Sequence, residues 1–223
     1  MTLSDELQTY GLYIRGRAEL TGPELESYAD FSGYQSILLI GNTGSSYWPN
    51  FSASAEYSDG GDDPLDRWSR RVAAKICTVH PMAVVFPFEG PPYYPFQQWA
   101  KRAEALTQSP LGIMMHPQFG LWHSYRFALL DKAALAIDPR LAQGSPCIDC
   151  KDQPCLHTCP VEAYSISGYD VDGCAGYLAE TPAASCLQNG CEARNACPVA
   201  IEFKYQPEQS RFHLRAFIDA RPV

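Results

Sequence analysis

Eight cysteines fall between Cys147 and Cys197, and their spacing is that of thiolates gathered around metal. The first run reads Cys147-x2-Cys150-x4-Cys155-x3-Cys159-Pro160. The second reads Cys174-x11-Cys186-x4-Cys191-x5-Cys197-Pro198. A C-x2-C-x2-C-x3-C-P run wraps three thiolates around one iron–sulfur cubane and turns the fourth toward a neighbouring cluster. Here the second gap is x4, so the loop has to bulge by two residues. Two groups of four, each closing on Cys-Pro, predict two 4Fe–4S clusters and therefore single-electron chemistry. Crossed ligation assigns Cys147, Cys150, Cys155 and Cys197 to one cluster and Cys159, Cys174, Cys186 and Cys191 to the other. Two structural zinc sites also use four cysteines each. Zinc favours paired C-x2-C knuckles, and only Cys147 with Cys150 makes one.

The other 146 residues before the first run carry only Cys77. A disulfide framework distributes its cysteines more widely and belongs to exported chains. The sequence opens Met1-Thr2-Leu3-Ser4-Asp5-Glu6, without a basic and then apolar leader, and holds no apolar run long enough to span a bilayer. A cytoplasmic protein with no membrane partner is the expectation. The net charge of −8 argues against a nucleic-acid partner, which normally demands a basic face. Small molecules or other proteins are the expected partners. Cys77 is read as a buried small hydrophobe and His157, inside the first run, as a surface residue.

The elements that must position these groups can be read in outline. Residues 1–145 alternate helical and strand-like patterns. A short helix at about 3–10 precedes a strand-like Leu12-Tyr13-Ile14. Ser36 to Ile40 is a buried strand by its continuous apolar character, followed by a turn at Gly41-Asn42-Thr43-Gly44-Ser45-Ser46. Asp62-Asp63 ahead of Pro64, with Asp66 behind it, mark a helix start. Leu65, Trp68, Val72 and Ile76 share one face of that helix, and Arg67, Arg70 and Arg71 the other. Met82 to Phe86 is a second buried strand, and a helix follows at about 95–107. Ile113-Met114-Met115 and Trp122 to Leu130 read as two further strands around the turn His116-Pro117-Gln118-Phe119-Gly120. A composition change at Asp138-Pro139 and Gln143-Gly144-Ser145-Pro146 marks a boundary. Pro207 to Ala220 reads as an amphipathic helix packing back on the body.

The stretch Pro110-Leu111-Gly112-Ile113-Met114-Met115-His116-Pro117-Gln118-Phe119-Gly120-Leu121-Trp122, then Arg126-Phe127-Ala128-Leu129-Leu130, then the cysteine runs, resembles epoxyqueuosine reductase. So does the lone Cys174 followed by Tyr177-Leu178. The stretch from His116 to Trp122 with Arg126 is also similar to cblC-type cobalamin-processing proteins, and reductive dehalogenases share the plan. The resemblance is good over residues 105–200 and rests only on the order of elements before that. It implies an α+β fold: a nitroreductase-like α/β sandwich core over 1–143, a bacterial-ferredoxin-like two-cluster module over 144–203, and a C-terminal helix over 204–223. It also implies a corrinoid such as cobalamin, or a flavin such as FMN, beside the clusters. A soluble donor of ferredoxin or flavodoxin type would feed electrons through the clusters to that cofactor, and a small molecule or a corrinoid would be the substrate. The chain is shorter than that family, lacks its C-terminal helical repeats and basic balance, and shows no catalytic acid in its N-terminal part.

Four residues are candidate cofactor contacts. His116 is either a cofactor-facing residue or lower ligand, or a turn residue with a satisfied ring. Trp122 and Tyr125 either stack on a planar cofactor or pack the core. Arg126, inside an apolar strand, needs a partner: a cofactor phosphate or carboxylate, or Asp131 or Asp138. Gly41-x-x-Gly44 after a strand is a weak phosphate signal, and Gly90 to Tyr94 a possible aromatic lip. The three arginines are either a solvated face or a docking patch for an acidic donor. The two functional readings are a redox enzyme with a cofactor pocket in its N-terminal domain, and a ferredoxin-like electron-transfer accessory protein without one. No nucleophile–base pair is evident, so catalytic residues stay unassigned.

Overall fold

The structure, a computed structural model, describes residues 1–134, 144–165 and 168–221. In chain order the elements are α1 (Leu3–Thr9), β1 (Tyr13–Glu19), α2 (Gly22–Ser27), β2 (Ser36–Thr43), α3 (Trp48–Ser52), α4 (Ala55–Ser58), α5 (Pro64–Val79), β3 (Ala83–Val85) and α6 (Phe96–Glu104). Then come β4 (Thr107–Gln108), β5 (Met114–Met115), β6 (His123–Asp131), β7 (Tyr164–Ser165), β8 (Gly168–Tyr169), α7 (Val171–Glu180), α8 (Ser185–Asn189), α9 (Glu192–Asn195) and α10 (Pro207–Asp219). They form two compact units. The first is Met1–Ala105 with His123–Gln143, and the second is Leu106–Trp122 with Gly144–Val223. The division differs from a single boundary near residue 143: the stretch 106–122 belongs with the cysteines, and the signal at Asp138-Pro139 lies outside the described residues.

The first unit is built on one antiparallel sheet in the order β1-β2-β6-β3. β2 is buried at every residue except Thr43, so both of its faces are covered, and its sequence is correspondingly apolar throughout. α6 packs on β1 and β2, and α5 on β3 and β6. The α5 face foreseen from spacing is the buried one: Leu65, Trp68, Val72 and Ile76 are all in the core. Its start differs in detail. Pro64 occupies the first turn, but Asp63 takes a left-handed conformation (φ 46°) and its side chain makes no capping bond. β2 runs three residues into the expected turn because Gly41 can lie against β6; a Cβ there would sit 2.0 Å from the Ser124 carbonyl oxygen. Trp122 precedes β6 rather than opening it.

The second unit is short elements around thiols. The two-stranded pair β4–β5 and the hairpin β7–β8 frame it. One core gathers Leu111, Met115, Leu121, Ala193 and Cys197. A second gathers Leu178, Ala184, Cys186 and Leu187, with Leu214, Phe217 and Ile218 of α10 against it. The C-terminal helix therefore completes the cysteine unit and is not a separate segment. The architecture is α+β with small antiparallel sheets.

Candidate metal and redox centre

The two cysteine runs, each local in sequence, become two mixed sets in space. Cys147, Cys150, Cys155 and Cys197 line one cavity, and Cys159, Cys174, Cys186 and Cys191 line another. The mutual charge effects follow the same grouping. Cys155 responds to Cys197, Cys150 and Cys147, while Cys174 and Cys186 each respond to Cys191 and Cys159. These are the two sets that crossed ligation expects. Local structure explains the exchange. Gln153 adopts a left-handed conformation (φ 36°) and opens a short 3₁₀ turn at Pro154–Leu156, which absorbs the two extra residues of the first run. That turn packs on α9, bringing Cys155 toward the end of the second run. Cys159 then faces away, and the Ala163 backbone N–H donates to its sulfur at 3.4 Å.

The second set is held by helix ends. α7 carries Cys174 and is capped by Asp170, whose carboxylate accepts from the Gly173 N–H at 2.9 Å. Cys186 lies on α8, and Cys191 is the residue from which α9 starts. Burial raises the thiols of Cys147, Cys155, Cys174 and Cys197 and pushes Cys186 up to about 11. Thiols packed this way are poor thiolates alone and need a positive centre to ionise together. Above the second set, the rings of Tyr164 and Tyr169 stack at 4.6 Å. Burial, and then the neighbouring cysteines, raise both hydroxyls.

The donor set fits iron–sulfur clusters: four thiols per site, apolar walls and spare hydrogen-bond donors. Ser109 Oγ is buried without a hydrogen-bond partner on the wall of the first cavity. Trp122 Nε1 and Arg194 Nε are buried without one on the wall of the second. Among the described residues, no group of three or more His, Cys, Asp or Glu is close enough to hold one metal ion. A cubane holds its thiolates farther apart than a single ion does. The second cavity, about 410 Å³, has room for it. The first encloses only about 20 Å³, space for roughly one water.

The four candidate cofactor contacts divide two and two between the units. His116 Nδ1 accepts from the backbone N–H groups of Gln118 (2.9 Å) and Phe119 (3.1 Å), so the ring closes its own turn. Trp122 is 1% exposed and packs on Tyr205 and under the Arg194 guanidinium. Tyr125 donates to Glu104, which also pairs with Arg15 at 3.1 Å in a buried site. Arg126 donates to the Tyr125 carbonyl, and its charge acts on Asp66. Asp138 is outside the described residues. His116, Tyr125 and Arg126 each hydrogen-bond to protein groups, and Trp122 packs in the core with its Nε1–H unpartnered.

The arginine face of α5 is likewise paired: Arg67 with Asp59, Arg70 with Glu89 and Arg71 with Glu56. Tyr94 of the suggested aromatic lip stacks on Phe31 and Trp99 instead. His157 is exposed and Cys77 half-buried on α5. Sequence reasoning missed Arg194, Tyr164, Tyr169 and Ser109, whose side chains line the cysteine cavities.

Fold and site together define an α+β protein with a thiol-rich unit in which four cysteines line each of two cavities. No family model and no curated protein matches the chain. Solved structures do. A selenomethionine-labelled epoxyqueuosine reductase is 13% identical with a TM-score of 0.49, over 94% of this chain and 67% of that one. An epoxyqueuosine reductase with a tRNA-Tyr epoxyqueuosine-modified tRNA stem loop is 15% identical with a TM-score of 0.50, over 93% and 69%. The latter likeness is one of fold. That structure also contains a tRNA stem loop. Among the described residues no helix is long and apolar enough to cross a membrane.

Proposed function

We propose that this chain is an iron–sulfur redox protein whose eight cysteines Cys147, Cys150, Cys155, Cys197, Cys159, Cys174, Cys186 and Cys191 hold two 4Fe–4S clusters. The observation that carries the reading is the sorting of two sequence-local runs into two spatial sets of four. Each bound cluster supplies a site that takes up and gives back one electron. The chain's own groups exclude water, orient the thiols and donate hydrogen bonds to sulfur, as the Ala163 N–H already does. The wider arrangement is a nitroreductase-like first unit with a ferredoxin-like second. In it, a soluble ferredoxin or flavodoxin type of donor passes electrons through the clusters to a corrinoid or flavin cofactor of a reductase. The likeness of fold to epoxyqueuosine reductase supports that reading over an accessory protein without a cofactor pocket.

Titration of the anaerobically reconstituted protein with cobalamin and with FMN tests the cofactor. A perturbed visible spectrum at stoichiometric addition is expected for one of them, and no change with either would leave the accessory reading in its place. A second reading, an RNA substrate, is favoured by the neighbour's stem loop. Binding of a tRNA stem loop at physiological salt, weakening as salt rises, is its signature; no binding at low salt would remove it.

A further inference from the structure

The two cysteine sites are not electrically alike. Arg194 sits at the end of α9, three residues after Cys191, on the wall of the second cavity. Its guanidinium lies between the Trp122 and Tyr205 rings, 4.8 and 4.5 Å from their centroids. One terminal nitrogen donates to the Leu121 carbonyl. Its Nε–H is buried and has no hydrogen-bond partner, and the side chain makes no ion pair among the described residues. A cation held between two aromatic faces, with a buried donor left over, needs an anionic acceptor to offset its desolvation. The Trp122 Nε1–H, in a side chain 1% exposed, is the second unpartnered donor on the same wall. The first cavity has only a neutral one, Ser109 Oγ. On that side Lys151, next to Cys150, and Lys204 are both exposed, and Lys204 donates to the Asn195 carbonyl and is the least of the influences on Cys197. The carboxylates that act on the second set, Glu192 on Cys186 and Asp170 on Cys174, are half-buried and exposed, so water screens them.

We propose that Arg194, with Trp122, supplies charge and N–H donors to the cluster held by Cys159, Cys174, Cys186 and Cys191, and so makes it the more easily reduced of the two. The inference rests on the iron–sulfur reading. A cubane on four thiolates is anionic and becomes more so when it gains an electron. A fixed cation and hydrogen bonds to sulfur favour the reduced form and raise the potential. One electron delivered to either site then settles on the second cluster, with no proton transfer required. The asymmetry gives the relay a direction, from the Cys147 set to the Cys159 set.

The test is a dithionite titration of reconstituted protein followed by electron paramagnetic resonance, on samples first shown to hold about eight irons per chain. Iron content reports the underlying reading by itself. The expected wild-type result is two separate one-electron steps. Arg194→Gln should lower the upper step and leave the lower in place, and Arg194→Lys, which keeps the charge, should lower it less. Trp122→Phe keeps a ring under residue 194 and removes one N–H, so it should give a smaller shift of the same step. It also serves if the Arg194 variants fail to fold. Unchanged potentials in fully loaded variants, or movement of the lower step alone, would overturn the proposal.

Discussion

Cys186 shows what the thiols face as single residues. Burial pushes it up to about 11, and the approach of Cys191 and Cys159 adds to that, against the opposing Glu192 backbone hydrogen bond. Such a thiol is a poor nucleophile on its own, and under the proposed assignment it ionises against the cluster it helps to hold. Cys77 is also raised by burial, but its one named backbone partner is Met82 and no other cysteine acts on it. Cys186→Ser is therefore expected to lower bound iron to about half, and Cys77→Ser to leave it unchanged, by iron analysis of reconstituted protein. Equal iron in both variants would contradict the assignment. In the first unit the decisive residue is Glu104, 8% exposed, which holds both Arg15 and the Tyr125 hydroxyl. Glu104→Ala takes the neutralising carboxylate from the buried Arg15 guanidinium. It should cost about 3–5 kcal/mol in denaturant unfolding of that unit; a loss below about 1 kcal/mol would show that the pair is not buried in solution.

Among the elements, α5 was the most legible from sequence, and its limits are instructive. Its apolar stripe is set by helical period and so can be read directly. The left-handed Asp63 ahead of it is set by how the preceding loop arrives, which no periodicity reports. Gly41 misled for a related reason: Gly-Asn-Thr-Gly has turn composition, but the glycine is there because β6 passes too close for a side chain. Pairing of α5 with α4 carries a pH dependence. The Arg71 hydrogen bond holds Glu56 at about 2, against an ordinary value of 4.5. The folded value is the lower one, so this stabilisation is present above about pH 4.5 and is lost as pH falls through about 2. With Arg71 40% exposed, solvent screening limits the effect to about 1 kcal/mol. Arg71→Gln should flatten the acid limb of the stability curve between those values. An identical acid limb in the variant would show that other carboxylates govern it.

At the scale of the molecule, the eight thiols were legible because their spacing is local and each run closes on Cys-Pro. The groups around them were not. Ser109 and the Tyr164–Tyr169 stack line the cysteine cavities, and Arg194, though between Cys191 and Cys197 in sequence, shows its place against the candidate Trp122 only in the fold. The position of 106–122 in the cysteine unit was hidden as well, because its strand-like pattern runs on into that of β6, which belongs to the first unit. Each unit has its own core. Removing iron with a chelator should therefore expose 144–221 to limited proteolysis before 1–105, as mapped by fragment masses. Simultaneous cleavage of both would show that they unfold together.

The central claim is that two four-thiol sites hold two iron–sulfur clusters, and metal and sulfide content with the visible spectrum of anaerobically purified protein tests it most directly. The account predicts a brown protein with about eight irons and about eight labile sulfides per chain. A colourless protein carrying about two zinc ions per chain and no sulfide would contradict it.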